Sequence, residues 1–264
     1  MNLKLGISTC PNDTYIFGPL LNSQIVHHHN FQVVLDDVEV LNKLAIKGKL
    51  DIVKVSYGVI DNVKDKYSIL KSGGAFGFGC GPVVVSKKIT NISYLKNKKI
   101  AIPGVNTSAF KIFGHFFGHL KNDFQEKRFD QIISSILKDE VDAGILIHEG
   151  RFIFQNFGLH KLADLGELWE ESYKAPIPLG CIIIKKELKE FAGEMCKLIR
   201  KSIEFSEAHF SAVEPFVKRY AQELDDEIIK NHIKLFVNKF SYDVSEYTDN
   251  ISKFLNCEKE TFVG

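Results

Sequence analysis

Apolar and polar residues alternate at the start of the chain: Leu3, Leu5 and Ile7 are separated by Lys4, Gly6 and Ser8. A period of two predicts a strand. The strand runs into Ser8-Thr9-Cys10-Pro11-Asn12-Asp13-Thr14, a turn-forming run that ends in helix N-cap residue types. A short helix through Tyr15, Ile16, Phe17, Leu20 and Leu21 is expected next. Residues 31–38 read as a second strand, and 40–46 as a helix stopped by Lys47-Gly48. Residues 51–56 read as a third strand and 57–63 as a further helix. The order β-α-β-α-β predicts a mostly parallel sheet with helices on its faces.

A glycine-rich patch, residues 73–81, then leads into the apolar run Val83-Val84-Val85. Residues 87–99 are polar and lysine-rich and read as a linker. After them the pattern restarts. A strand is expected at 100–102, a turn at 103–108, helices at 109–120 and 129–137, and a nearly all-apolar strand at 141–147. That strand ends at His148-Glu149-Gly150. A helix at 152–157 and a short strand at 159–163 follow. Pro176-Ile177-Pro178-Leu179-Gly180 marks a second boundary, before a buried strand at 181–185. From residue 187 onward the text is helical, with Phe191, Met195, Leu198, Ile199, Ile203 and Phe205 on one stripe, and two or three more helices across 213–255. The two restarts predict two α/β lobes: a discontinuous lobe I (1–89 and 176–264) and lobe II (90–175). A cleft between lobes is the expected ligand site.

Composition narrows the function classes. The 264 residues carry 34 Lys+Arg and 33 Asp+Glu, a net charge of +1, so no sequence-wide basic field favours nucleic acid or an anionic membrane. The longest apolar runs fall far below the ~18 residues of a membrane span. Five dispersed cysteines (Cys10, Cys80, Cys181, Cys196 and Cys257) form no C-x-x-C, which argues against a disulfide framework or a cysteine-built metal site. The N-terminal residues lack the charged and apolar regions of a signal peptide. Reduced thiols in the cytoplasm are the expectation.

The glycine patch does not fit phosphate chemistry. No Gly precedes Lys-Ser or Lys-Thr, and Gly77-Phe78-Gly79-Cys80-Gly81 has the wrong spacing for a dinucleotide fingerprint. Close backbone packing is the plainer reading. His27-His28-His29 reads as a solvated turn, with no partner ligand in view. His115 and His119 share a helix face, but Phe116 stands where a zinc protease needs Glu, so partly buried structural histidines are expected. His148 differs, because it follows a buried strand, and ligand groups gather at the carboxyl ends of strands in α/β sheets. Its imidazole suits proton transfer at neutral pH; a structural histidine is the alternative. Cys10–Thr14, Lys54–Ser56 and Asn106–Ser108 also stand at strand ends and offer amide, hydroxyl and ammonium donors. Capping accounts for each singly; together they suggest a shared rim. Cys10 has no base within its sequence neighbourhood.

Ser8-Thr9-Cys10-Pro11-Asn12-Asp13-Thr14-Tyr15 resembles the Ser-Pro-Cys-Pro-Asn-Asp-Thr-Phe signature of the 1,4-dihydroxy-6-naphthoate synthase family of the futalosine route to menaquinone. The resemblance continues at 51–57, at 104–109, at Asp142-Ala143-Gly144-Ile145-Leu146-Ile147-His148-Glu149 and at Pro178-Leu179-Gly180. Thr9 and Tyr15 depart from the signature. The resemblance implies a periplasmic-binding-protein-like type II fold with a cleft between two lobes. It implies a lyase that fragments cyclic dehypoxanthine futalosine to 1,4-dihydroxy-6-naphthoate and dihydroxyacetone, with no metal or organic cofactor. His148 matches the proton acceptor. Lys54, Val55 and Ser56, and Thr107 and Ser108, match two substrate-binding segments; Asn12, Asp13 and Thr14 join them as candidates. The expected partner is a small-molecule substrate, not nucleic acid or membrane, and monomer and homodimer both stay open. A solute-binding protein without chemistry is the alternative. The sister enzyme chorismate dehydratase is disfavoured by the Cys-Pro-Asn-Asp-Thr and Ile-His-Glu motifs.

Overall fold

The alternating start of the chain becomes strand β1 (Asn2–Ser8), with Leu3, Leu5 and Ile7 in one core and Gly6 against Leu41, Leu50 and Val53 on the other face. The computed structural model describes residues 1–221, 225–255 and 257–264. Helix α1 (Pro11–Leu21), β2 (Asn30–Asp36), α2 (Val38–Ile46), β3 (Ile52–Ser56) and α3 (Ile60–Val63) follow in the predicted order, but α1 begins at Pro11, inside the run expected to turn, because Cys10 is its N-cap, and residues 57–59 form a 3₁₀ turn before α3. Two short strands, β4 (Tyr67–Leu70) and β5 (Ala75–Gly77), come next. The chain divides into two units, Met1–Phe76 with Gly180–Gly264, and Gly77–Leu179.

The second unit holds β6 (Val83–Ser86), β7 (Lys99–Ile102), α4 (Ser108–Phe117), β8 (Asp123–Glu126), α5 (Ile132–Leu137), β9 (Ala143–Leu146), α6 (Gly150–Ile153), β10 (His160–Asp164) and α7 (Leu165–Tyr173). Its sheet runs β10-β6-β9-β7-β8, with β7 parallel to both β8 and β9. Its core gathers Val83, Val85, Ala101, Ile132, Ile136 and Leu146. The segment 77–89, expected in the first lobe, packs here because β6 pairs with β9 and β10. Residues 87–99 are no linker: Asn91 caps a 3₁₀ turn (Ile92–Leu95) that buries Leu95 completely.

The return strand β11 (Ile177–Lys185) leads into α8 (Ala192–Ala208), α9 (Phe210–Tyr220), α10 (Asp226–Phe236), α11 (Lys239–Tyr242), α12 (Thr248–Leu255) and a last short strand, β12 (Phe262–Val263). Residues 222–224, inside the span expected to be helical, lie outside the described residues. The first unit's sheet runs β12-β4-β11-β3-β1-β2. β1 is parallel to β2 and β3, as expected, but β11 is antiparallel to β3 and β4. The sheet is therefore mixed, because β11 enters from the opposite end and slots between two strands already laid down. Helix α1 is buried along almost its whole length by α8, α9 and α10, which explains its all-round apolar character. No helix among the described residues is long and apolar enough to cross a membrane.

Candidate functional site

In the first unit, β1 and β3 are parallel neighbours, so their carboxyl ends open on one rim. Ser8 ends β1, and its hydroxyl donates to Asp13 Oδ2 at 2.5 Å from across the turn into α1. Asn12 Nδ2 donates to Asp13 Oδ1 at 3.0 Å. Lys54, from β3, donates to the same carboxylate and to the Gly73 carbonyl at 3.3 Å. Asp13 is 1% exposed and Lys54 4%. Charges so buried persist only when paired and hydrogen-bonded. The site demands glycine at 180: a Cβ there would lie 2.8 Å from Lys54 Cε and 3.2 Å from the Val55 carbonyl oxygen.

This network gathers Asn12, Asp13 and Lys54, and it engages the Lys54 ammonium with Asp13 rather than presenting it bare. The other candidates of this unit are placed differently. The Thr14 hydroxyl sits 3.2 Å from the carbonyls of Cys10 and Pro11, inside its own helix. The Val55 side chain is fully buried in the core, which leaves only its backbone for a ligand. Ser56 ends β3, and its N–H donates to Asn42 Oδ1 at 2.9 Å, while Asn42 Nδ2 donates to Glu39 at 3.0 Å.

Two residues escape the sequence reading. Asn42 is fully buried on α2, and His232 is 2% exposed on α10. His232 Nε2 lies 3.1 Å from Cys10 Sγ, so the cysteine does have a nearby base. The available signal was a polar residue inside an apolar stripe: His232 shares the buried face of α10 with Ile229, Ile233 and Phe236. Its distance along the chain from Cys10 hid the pairing.

In the second unit, β7 and β9 are parallel neighbours, and their carboxyl ends lead to Thr107-Ser108 and to His148 respectively. Thr107 caps α4: its Oγ1 accepts from the Phe110 N–H at 3.2 Å and donates to the Gly104 carbonyl at 2.7 Å. The Ser108 hydroxyl donates to the Leu179 carbonyl at 2.6 Å. With both hydroxyls so engaged, the first-turn N–H groups of α4, which have no intrahelical acceptor, become the anion-attracting feature. His148 is half-buried with φ +52°, a left-handed conformation uncommon outside glycine. The ring of Phe129 meets its imidazole edge-on, centroids 4.8 Å apart at 75°. Glu149 beside it is buried and does not face solvent. The next helix is anchored by Arg151, which donates to Asp164 at 3.2 Å and to the Gly81 carbonyl. Burial pushes the Asp164 carboxyl up, against the pull of the Arg151 guanidinium.

The remaining sequence candidates have structural roles. A Cβ on Gly77 would fall 2.1 Å from the Cys80 carbonyl oxygen, and one on Gly81 2.7 Å from the Gly166 nitrogen, so the glycine patch is a close backbone crossing. His29 meets Glu194 at 2.8 Å beside Phe31 and Phe191. His115 and His119 are exposed rather than partly buried, and they do not share one helix: α4 ends at Phe117 and His119 lies in the 3₁₀ turn Gly118–Leu120; His115 Nε2 lies 2.6 Å from the Tyr173 hydroxyl.

Residues 3–260 match a family model described as menaquinone biosynthesis. A 1,4-dihydroxy-6-naphthoate synthase of Thermus thermophilus is 37% identical over 262 residues, covering 98% of this chain and 94% of its own. Its counterpart from Streptomyces coelicolor is 35% identical over 249 residues, covering 92% and 88%. Among solved structures, protein AF1704 from Archaeoglobus fulgidus superimposes with a TM-score of 0.90 at 31% identity, covering 97% of this chain and 95% of its own. The alkanesulfonate-binding protein SsuA of Xanthomonas axonopodis pv. citri gives 0.70 at 10% identity, covering 99% and 97%; that likeness speaks for the periplasmic-binding-protein-like fold alone.

Proposed function

The chain belongs to the menaquinone-biosynthesis family, and on that premise we propose that His148 is the general base of its lyase reaction. The reaction converts cyclic dehypoxanthine futalosine to 1,4-dihydroxy-6-naphthoate and dihydroxyacetone. The observation that carries the assignment is the place of His148, at the carboxyl end of β9 and next to the strand that feeds the N-terminus of α4. A neutral imidazole there takes a proton from the substrate. The electron pair left behind moves inward, a carbon–carbon bond breaks, and the ring that remains becomes aromatic. Aromatisation drives the step, so the protein must supply positioning, one base and stabilisation of oxyanion charge. The first-turn N–H groups beyond Thr107, at Ser108 and Ala109, stabilise that charge. Asn12, Asp13, Lys54 and the backbone at Val55–Ser56 hold the oxygen-rich substrate by hydrogen bonds. Thr14 contributes by fixing the first turn of α1. A cytoplasmic location goes with a biosynthetic role.

The test is incubation of the protein with the cyclic substrate, read by naphthoate fluorescence and mass. Asparagine tolerates the left-handed backbone at 148, so His148→Asn is expected to keep the fold by circular dichroism. It should lower kcat by at least ~10²-fold, the usual scale for losing a general base. Turnover near the wild-type rate in that variant would refute the assignment. Recovery of intact ligand from the wild-type protein would favour the solute-binding alternative instead.

A further inference from the structure

The geometry points to Cys10 and His232 as the proton-donating pair of the same reaction. This rests on the function proposed above. Cleaving a carbon–carbon bond heterolytically leaves an electron pair on a carbon, and that carbon is not the atom from which the base took its proton. A donor is therefore needed as well as an acceptor. The Cys10 Sγ and His232 Nε2 atoms lie 3.1 Å apart, within hydrogen-bond distance, and the residues are 6% and 2% exposed. Cys10 is the N-cap of α1, yet its side chain makes no capping bond, so the thiol is turned to His232 instead. Its backbone N–H lies 3.3 Å from Ser8 Oγ, which places it within the network that holds Asn12, Asp13 and Lys54. Once the proton leaves, the positive end of the eleven-residue α1 and the imidazole stabilise the thiolate.

The step balances. The pair's proton forms a C–H bond on the departing three-carbon fragment, using the electrons of the broken carbon–carbon bond. The proton taken by His148 leaves to water, and water returns one to the pair, so no net proton is consumed. Burial pushes the thiols of Cys80, Cys181, Cys196 and Cys257 up, so each is a weaker acid than a free thiol.

Two measurements test the pair. The first is steady-state kinetics of Cys10→Ala, Cys10→Ser and His232→Gln beside His148→Asn. Cys10→Ala and His232→Gln should each lower kcat by about 10²-fold, on the scale of acid catalysis, with KM within about threefold. Cys10→Ser, which keeps a donor, should recover roughly tenfold of that loss. The second is alkylation of the wild-type protein by iodoacetamide, mapped by mass. Cys10 should react ahead of the other four thiols, and 1,4-dihydroxy-6-naphthoate should protect it at least about tenfold, as expected of a thiol on the ligand. Near-wild-type kcat in both Cys10→Ala and His232→Gln, alongside an inactive His148→Asn, overturns the proposal and leaves the base standing. Alkylation of Cys10 unaffected by the naphthoate also overturns it. An active His148→Asn would remove the base assignment instead, and the protection experiment would still decide whether the pair faces the ligand.

Discussion

Asp13 receives three donors at once, from Ser8, Asn12 and Lys54, and almost none of its surface reaches water. Replacing it by asparagine leaves the Lys54 ammonium buried against a neutral amide. Such a one-sided cut typically costs about 3–5 kcal/mol. Asp13→Asn should therefore lower the urea midpoint by a corresponding amount, and adding Lys54→Met should restore part of the loss. The candidates at strand ends were legible because strand ends in α/β sheets carry ligand groups whatever the loop sequence. Their partnerships were not. Nothing in the string of residues says that Asp13 and Lys54 neutralise each other, or that Asn42 holds the Ser56 N–H. Those are long-range facts, settled by which helix crosses which strand.

At the scale of elements, period two and period 3.6 located most strands and helices to within a few residues. The misses have physical causes. β8 reads Asp-Phe-Gln-Glu and sits at the sheet edge, where polar residues need no burial. β12 is two residues long and follows helices. The lysine-rich stretch before β7 looked like a linker because one apolar residue, Leu95, does its anchoring. β9, which delivers His148, depends on a missing side chain. A Cβ on Gly144 would stand 2.4 Å from Ile132 Cγ2 and 3.0 Å from Ile136 Cδ1, both on α5. Gly144→Ala should cost about 1–3 kcal/mol, the usual range for overpacking. It should also lower kcat, because the strand that aims His148 must shift. Unfolding and turnover measured on the same preparation check both effects.

Across the whole molecule, the first unit is closed by residues far apart in the chain. Asp51 joins three strands at one point. Its carboxylate accepts from the Lys4 N–H at 2.8 Å and pairs with Lys185 at 2.9 Å, and its backbone bonds to the same two residues. Burial alone would raise its pKa, but the bonds from Lys4 and Lys185 win and lower it. A depressed carboxylate contributes stability that is present above its ordinary value and lost as pH falls through the folded value. Asp51→Asn should thus be less stable than wild type near pH 7 by about 1 kcal/mol, the scale of a half-exposed charged hydrogen bond. The gap should narrow as pH falls below the ordinary carboxylate range and close beneath the lowered folded value; thermal melts across pH measure it.

The placement of β11 between β3 and β4 also has a meaning in time. The first 76 residues leave the ribosome well before the strand that completes their sheet. At about 5–20 residues per second, making residues 77–179 takes roughly 5–20 s. During that interval β3 has an open edge, and edges of this kind invite pairing with other chains. The second unit is contiguous and can finish folding during the same interval. Synthesis therefore favours completing the half that carries His148 first, while the half that carries Cys10 and Lys54 waits, most exposed to aggregation and to chaperones, for its last strand.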